Sequence, residues 1–203
     1  MNDPWEHHAK TPKDLLVDIM LDLPSLYQGI DEMKDRDRSI TGLREELQQL
    51  ASKTTGRLLQ WGSEFATAVV SPRSDWQVPS NLTTDNIASA HLMTLYWASL
   101  MIAQNVYHIV FDEESDVVGI DLNDCCRNII RCIPLFLHQS TGIFRQHLMP
   151  FPAMTAIRHL KSTRPPILKP EREFVLSLSE NTEFAGMRQF MLSVQPQLLT
   201  GLE

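Results

Sequence analysis

Residues 87–111, IASAHLMTLYWASLMIAQNVYHIVF, form the longest apolar stretch of the sequence. Large apolar side chains, such as Leu95, Ile102 and Val106, return in it at the spacing of one face of a helix. Polar side chains such as Gln104 interrupt the stretch, and in a lipid-facing helix each of them would be desolvated at a high free-energy cost. The pattern therefore predicts a long, buried helix of a soluble protein and no membrane span.

Helical spacing also governs the chain on both sides of this stretch. Thr11 is suited to cap a helix that begins at Pro12, and a second short helix is predicted after Pro24. An amphipathic helix follows over residues 40–61, with a break expected near Gly56 because glycine lowers helix stability. Further helices are predicted over residues 152–160 and 171–178 and from residue 181 or 182 onward.

The apolar helix that follows the central one contains a proline. Asp121 or Asn123 is suited to cap this helix, and its apolar pattern continues through Phe136. Pro134 lies inside it, where it has no N–H to donate to the Ile130 carbonyl and where its ring crowds the preceding turn. We therefore expect a kink after Ile130, with the carbonyl of that residue left as a free acceptor.

These patterns together predict an all-α fold, an irregular multi-helix bundle. No segment alternates apolar and polar residues over the length of a strand. The chain has 203 residues, 43% of them apolar, which is enough to build a hydrophobic core. Proline, serine and asparagine gather in residues 71–81, a composition that favours a loop. We expect residues 1–203 to form a single helical domain, with residues 71–81 as its candidate internal boundary.

Charge and cysteine content argue against several classes of function. Lysine and arginine number 18 against 25 acidic residues, a net charge of −7, so no direct nucleic-acid partner is expected. Cys125, Cys126 and Cys132 share an apolar segment without metal-ligand spacing, which favours buried structural residues in a reducing compartment, cytoplasmic or nuclear. The sequence contains no histidine-based metal motif and no glycine-rich phosphate loop, so neither a metal nor another cofactor is expected.

The candidate site is an apolar pocket between the central helix and the helix that contains Pro134. Its aromatic side chains would line the pocket, and its few polar side chains would orient a small ligand. Taken singly, each of these residues is more often an ordinary structural residue. No catalytic role can be assigned among them. The candidate ligand-binding residues are His91, Tyr96, Trp97, Tyr107, His108, Arg131, Phe136, His138 and Arg158.

Short motifs run through nearly the whole chain. They include 91–98 with its Tyr-Trp pair, 126–137 with its Pro-Leu-Phe-Leu end, and 151–156 with its Phe-Pro start, preceded by Gly142. Near the N-terminus, residues 4–7 contain a Trp-Glu pair ahead of a leucine-rich segment. Together these motifs resemble the C-terminal regulatory domain of fungal zinc binuclear cluster transcription factors. The resemblance implies a helical fold that receives a signal or a partner.

The resemblance does not extend to DNA binding. The DNA-binding module of that family holds zinc through a cluster of cysteines, whereas this sequence has three cysteines, at other positions. Two functions are left open. The favoured one is a regulator-like protein of secondary metabolism that binds an apolar small molecule or a protein partner. That partner could be a second copy of the chain, which would make the protein a homodimer. The alternative is a cofactor-independent cyclase of pericyclase or Diels-Alderase type, because holding two reacting ends together lowers a barrier by itself.

Overall fold

The computed structural model of the chain describes residues 9–35, 41–66, 76–111, 120–179 and 185–194. Helices make up 84% of this part of the chain, and it contains no strand, which confirms the all-α prediction. Among its helices, none combines the length and the apolar character that a bilayer crossing requires. The Trp-Glu motif at residues 4–7, positions 71–75 of the predicted loop and the predicted start of the last helix lie outside the described residues.

Nine α-helices and one 3-10 segment follow one another in the described ranges. The central stretch forms one uninterrupted helix, as its apolar spacing predicts. The described part of the predicted loop, residues 76–81, is not helical. The helices are α1 Pro12–Met20, α2 Leu23–Asp35, α3 Thr41–Phe65, α4 Thr84–Phe111, α5 Leu122–Leu137, α6 Arg145–Leu148, α7 Pro150–Ser162, α8 Lys169–Ser179 and α9 Ala185–Val194, and the 3-10 segment is Gln139–Phe144.

The chain divides into two compact units, and α4 contributes residues to both. Unit 1 comprises residues 1–66 and 102–120, and unit 2 comprises residues 67–101 and 121–203. In unit 1, α1 and α2 both pack against α3. The buried core cluster of unit 1 consists of Leu23, Leu26, Ile30, Leu47, Ala51, Ile102, Val106 and Val110.

Hydrogen bonds fix the start of α1 within unit 1. The Thr11 hydroxyl accepts from the Asp14 N–H at 3.3 Å, and the Asp14 carboxylate accepts from the Thr11 N–H at 2.9 Å. This reciprocal arrangement is a capping box, and it confirms the predicted cap at Thr11. The Trp61 indole N–H donates to the carbonyl of Pro12 at 2.8 Å, which ties α1 to α3.

The break expected near Gly56 is wrong, because α3 runs without interruption from Thr41 to Phe65. A glycine inside a helix lowers its stability by about 1 kcal/mol relative to alanine. Ala51, Leu58 and Trp61 are buried on either side of Gly56. The burial of Leu58 and Trp61 offsets that loss, since a large apolar side chain contributes about 1.5–3 kcal/mol when it is removed from water.

Helix α5 lies at the centre of unit 2, where it packs against α7 and α8. The Asp121 carboxylate caps it by accepting from the N–H groups of Asn123 and Asp124 at 2.8 and 3.3 Å. Of the two cap residues predicted for this helix, Asp121 is therefore the one that serves.

Pro134 does not end α5, which extends to Leu137. The proline lies in the last turn, where few helical hydrogen bonds follow it. Ile133, Leu135 and Phe136 around it are all buried, so tertiary packing holds this turn. The kink expected after Ile130 stays a prediction.

Candidate functional site

Tyr107 and His108 belong to unit 1, whereas the other predicted site residues belong to unit 2. The Tyr107 ring stacks on that of Phe111, with centroids 4.0 Å apart and planes 22° apart. The side-chain nitrogen of the buried Gln104 lies 2.9 Å from Nε2 of His108. If that amide donates, Nε2 of the imidazole is the acceptor and the ring proton lies on Nδ1. Both contacts join residues of α4 one turn apart, and Tyr107 also packs against the unit 1 core.

In unit 2, the α4 residues His91 and Tyr96 lie along α5. The His91 ring meets the edge of Phe136, with centroids 6.3 Å apart and planes at 88°. Burial raises the pKa of Tyr96, and the negative charge of a Cys125 thiolate would raise it further. The structure therefore brings together His91 and Phe136, and it places Tyr96 near Cys125, toward the opposite end of α5. Trp97, the next residue on α4, is half-buried.

Arg131 lies beside a carboxylate that the sequence did not single out. Its Nε is 3.9 Å from Oε1 of Glu171, a residue of α8 whose side chain is 4% exposed. Arg127, one turn earlier on α5, places its own Nε 3.5 Å from the same oxygen. Arg127 also forms an ion pair with Asp124. One buried carboxylate thus lies against two guanidinium groups that would otherwise repel each other.

Arg172, the neighbour of Glu171 in α8, is buried and donates hydrogen bonds to backbone carbonyls at the C-terminal end of α7. Its Nη2 donates to the carbonyl oxygens of Leu160 at 2.6 Å and Thr163 at 2.8 Å. Such carbonyls at a helix C-terminus have no partner within the helix, and a cation there also interacts favourably with the helix dipole. Within the described part of the chain, the Nε of Arg172 has no hydrogen-bond partner.

His159 of α7 is a half-buried polar group of unit 2. Its Nε2 lies 3.1 Å from Oδ1 of Asn123, so the ring donates and carries its proton on that nitrogen. Burial lowers the pKa of His159, an effect that the negative charge of Asp121 opposes. The thiol of Cys126 also points to α7, 3.5 Å from the carbonyl oxygen of Ala156.

His138 follows the last residue of α5, and Arg158 lies on α7. The His138 Nδ1 accepts from the backbone N–H of Ser140 at 3.3 Å and lies 2.7 Å from its hydroxyl. Thr141 closes the turn, with its hydroxyl oxygen 2.9 Å from the Phe136 carbonyl oxygen. Arg158 is exposed on α7 and forms no hydrogen bond or ion pair with another described residue.

The three cysteines are free and buried, as the sequence pattern predicts. Burial raises the pKa of the Cys125 and Cys132 thiols to about 12, and it raises the pKa of Cys126 as well. All three are therefore protonated near neutral pH and behave as small apolar side chains. In the described ranges, no three His, Cys, Asp or Glu side chains are grouped so that they could hold a metal ion.

Sequence reasoning missed Glu171, Arg127 and the contact of Trp76 with Phe174. One sequence feature pointed to the first two: Arg127 and Arg131 are four residues apart on one helix, an arrangement that destabilises a helix unless a counter-ion lies near. Trp76 stacks on Phe174 with ring centroids 4.0 Å apart and planes 10° apart. These residues are 98 positions apart in the sequence, so no local pattern could have joined them.

No protein-family model matches the sequence, and no match to it was found among curated proteins or among solved structures.

Proposed function

We propose that this protein is a regulator-like helical protein of fungal secondary metabolism, similar to the regulatory domain of zinc-cluster transcription factors. In this proposal it works in the cytoplasm or nucleus and binds an apolar metabolite, or a protein partner, without contacting DNA through these residues. The observation that carries the proposal is the convergence of three resemblance motifs in unit 2. Residues 91–98, 126–137 and 151–156 fall on α4, α5 and α7.

Two contacts link these motifs end to end. The first residue of the α4 motif, His91, touches Phe136 near the end of the α5 motif. The first residue of the α5 motif, Cys126, lies with its sulfur 3.5 Å from the carbonyl oxygen of Ala156, the last residue of the α7 motif. Segments far apart in the sequence thus form one packed arrangement, as the proposal requires.

The surroundings of α5 supply the chemistry that an apolar ligand needs. The buried face of α5 is apolar and includes Ile129, Ile130 and Phe136. Beside it, His91 is half-buried and the Arg131 side chain is 42% exposed. A ligand would lie at the margin of this buried face, where a few polar groups can fix the orientation of a small molecule.

Charge supports the part of the proposal that concerns DNA. With a net charge of −7, the protein has no excess of Lys and Arg to displace the counter-ions of a nucleic acid, and that displacement is the main source of non-specific affinity for DNA. We expect no binding to a random DNA duplex near physiological salt in an electrophoretic mobility assay. A salt-dependent shift at micromolar protein would contradict this part of the proposal.

Thermal unfolding in the presence of a panel of neutral and acidic apolar metabolites tests whether the protein binds such a ligand. A true ligand raises the melting temperature in a concentration-dependent way, because it binds only the folded protein. His91→Ala should reduce this rise, whereas Arg164→Ala, at an exposed position outside the candidate site, should not. The compound should be recovered unchanged by chromatography. Recovery of a cyclised product would favour the cyclase alternative. If no compound of the panel raises the melting temperature, only the binding of a protein partner remains of the proposal.

A further inference from the structure

We propose that Arg131 and Arg127 form the anion-binding part of the ligand site in unit 2, and that the ligand is an apolar molecule with a carboxylate. The inference rests on the proposed function, because it names the ligand class of that function. It starts from two guanidinium groups that share one buried carboxylate, that of Glu171.

Arg131 has unused hydrogen-bonding capacity. Its Nε lies 3.9 Å from the Glu171 oxygen, which is an ion-pair distance but too long for a hydrogen bond. Within the described ranges, Arg131 forms no hydrogen bond. Its planar guanidinium presents N–H donors in a fork that matches the two oxygens of a carboxylate. With its side chain 42% exposed, Arg131 can offer that fork to a ligand from solvent.

The like charges of the two arginines also favour an anion. Arg127 is paired with Asp124 and with Glu171, whereas the carboxylate nearest Arg131 is that of Glu171, at 3.9 Å. A ligand carboxylate would give Arg131 a counter-ion of its own. It would also separate the two arginines on α5, whose like charges are one turn apart.

An aromatic surface lies next to this charge cluster. Phe174 follows Glu171 by three residues on α8, so the two side chains are neighbours on the helix surface. Trp76 stacks on Phe174 with centroids 4.0 Å apart, and both rings are only half-buried. An apolar body could therefore lie against these rings while its carboxylate reaches Arg131.

The backbone at Trp76 adds an independent observation. Its φ is 64°, a left-handed conformation that is unfavourable for a bulky side chain. Such strain persists only where the surroundings impose it, and it is concentrated at binding and active sites. In this conformation Trp76 stacks on Phe174, and we infer that the strain is retained because it presents an aromatic face beside the Glu171 cluster.

Isothermal titration with decanoate and 1-decanol, both below the concentration at which they aggregate, tests the inference. The two compounds share an apolar body and differ in charge. We expect decanoate to bind the intact chain at least about 10-fold more tightly than decanol, the equivalent of one charge-assisted contact. Arg131→Gln should abolish most of this preference, and Arg131→Lys should restore part of it. Arg164→Gln, at an exposed position outside the candidate site, is the matched control and should leave both affinities unchanged. Phe174→Leu should weaken the binding of both compounds.

The possible failures are distinguishable. Equal binding of decanoate and decanol, unaffected by Arg131→Gln, would overturn the anion site and leave an apolar-ligand function standing. The anion site is also overturned if neither compound binds while another apolar compound of the panel still raises the melting temperature. If no compound of either set binds, the ligand-binding function falls together with the anion site.

Discussion

The Nη2 atom of Arg172 lies 2.6 Å from the carbonyl oxygen of Leu160, and this hydrogen bond joins α8 to the last turns of α7. The same nitrogen lies 2.8 Å from the carbonyl oxygen of Thr163, the C-cap residue that follows α7. A single buried guanidinium thus replaces the N–H donors that these carbonyls would have in a longer helix.

Replacing Arg172 should therefore destabilise the protein. In Arg172→Met, the carbonyls of Leu160 and Thr163 lose a charged donor in a buried place, which costs about 2–4 kcal/mol of unfolding free energy. Urea denaturation measures this loss. Arg158→Met on the exposed surface of α7 is the control, with an expected change within about 0.5 kcal/mol. Equal stability of the two variants would show that the Arg172 contacts contribute little.

Glu171 should contribute to stability through the two arginines on α5. In Glu171→Gln, Arg127 and Arg131 lose their shared counter-ion, and the unfolding free energy should fall by about 1–3 kcal/mol. The loss is smaller than for a fully buried pair, because the arginine side chains are 33% and 42% exposed. Glu173→Gln provides a control on the same helix, since its pair with Lys169 is exposed and should contribute under about 1 kcal/mol.

Stability should depend on pH through His159. Burial lowers the pKa of this side chain in the folded state below its ordinary value of 6.5. As the pH falls through 6.5, the unfolded chain therefore takes up a proton that the folded chain still resists, and folding loses stability. The unfolding free energy of the wild type should fall more steeply below that pH than that of His159→Gln, which can still donate to Asn123. Parallel pH profiles of the two proteins would contradict a lowered pKa of His159 in the folded state.

The cysteines should react slowly with thiol reagents in the folded protein. A thiol with a pKa of about 12, as for Cys125 and Cys132, is almost wholly protonated at pH 8, and both side chains are also buried. With Ellman's reagent, we expect labelling of the native cysteines to follow unfolding and to become rapid in urea. A cysteine introduced at the exposed Ser63 should react within the mixing time and serves as the control. Rapid native labelling of Cys125 would contradict its burial.

Substitution by alanine should change the stability of the protein differently at two glycines of unit 1. A Cβ at Gly56 of α3 meets nothing within 4 Å, so Gly56→Ala should stabilise the protein by about 0.5–1 kcal/mol. A Cβ at Gly29 of α2 would lie 2.5 Å from the Cδ1 of Leu47, a side chain of the unit 1 core. Gly29→Ala must displace that leucine and should be less stable than Gly56→Ala by thermal or urea unfolding.

Local sequence determined most of the helices. The Thr11 cap, the Asp121 cap and the apolar face of α4 each depend on residues within one or two turns of one another, so a linear pattern contains the information. Gly56 is the exception, because its effect on α3 depended on whether the residues around it were buried. Intrinsic propensity predicted a break, and tertiary packing overrode it.

The tertiary structure alone decided which side chains meet. Arg131 could be proposed from the sequence as a polar group among apolar neighbours, but its counter-ion, Glu171, comes from another helix 40 residues later. Trp76 and Phe174 meet only because the chain returns α8 to the loop before α4. Spacing along the sequence specifies the face of a helix, whereas the partner of that face is set by long-range packing, to which no local pattern refers.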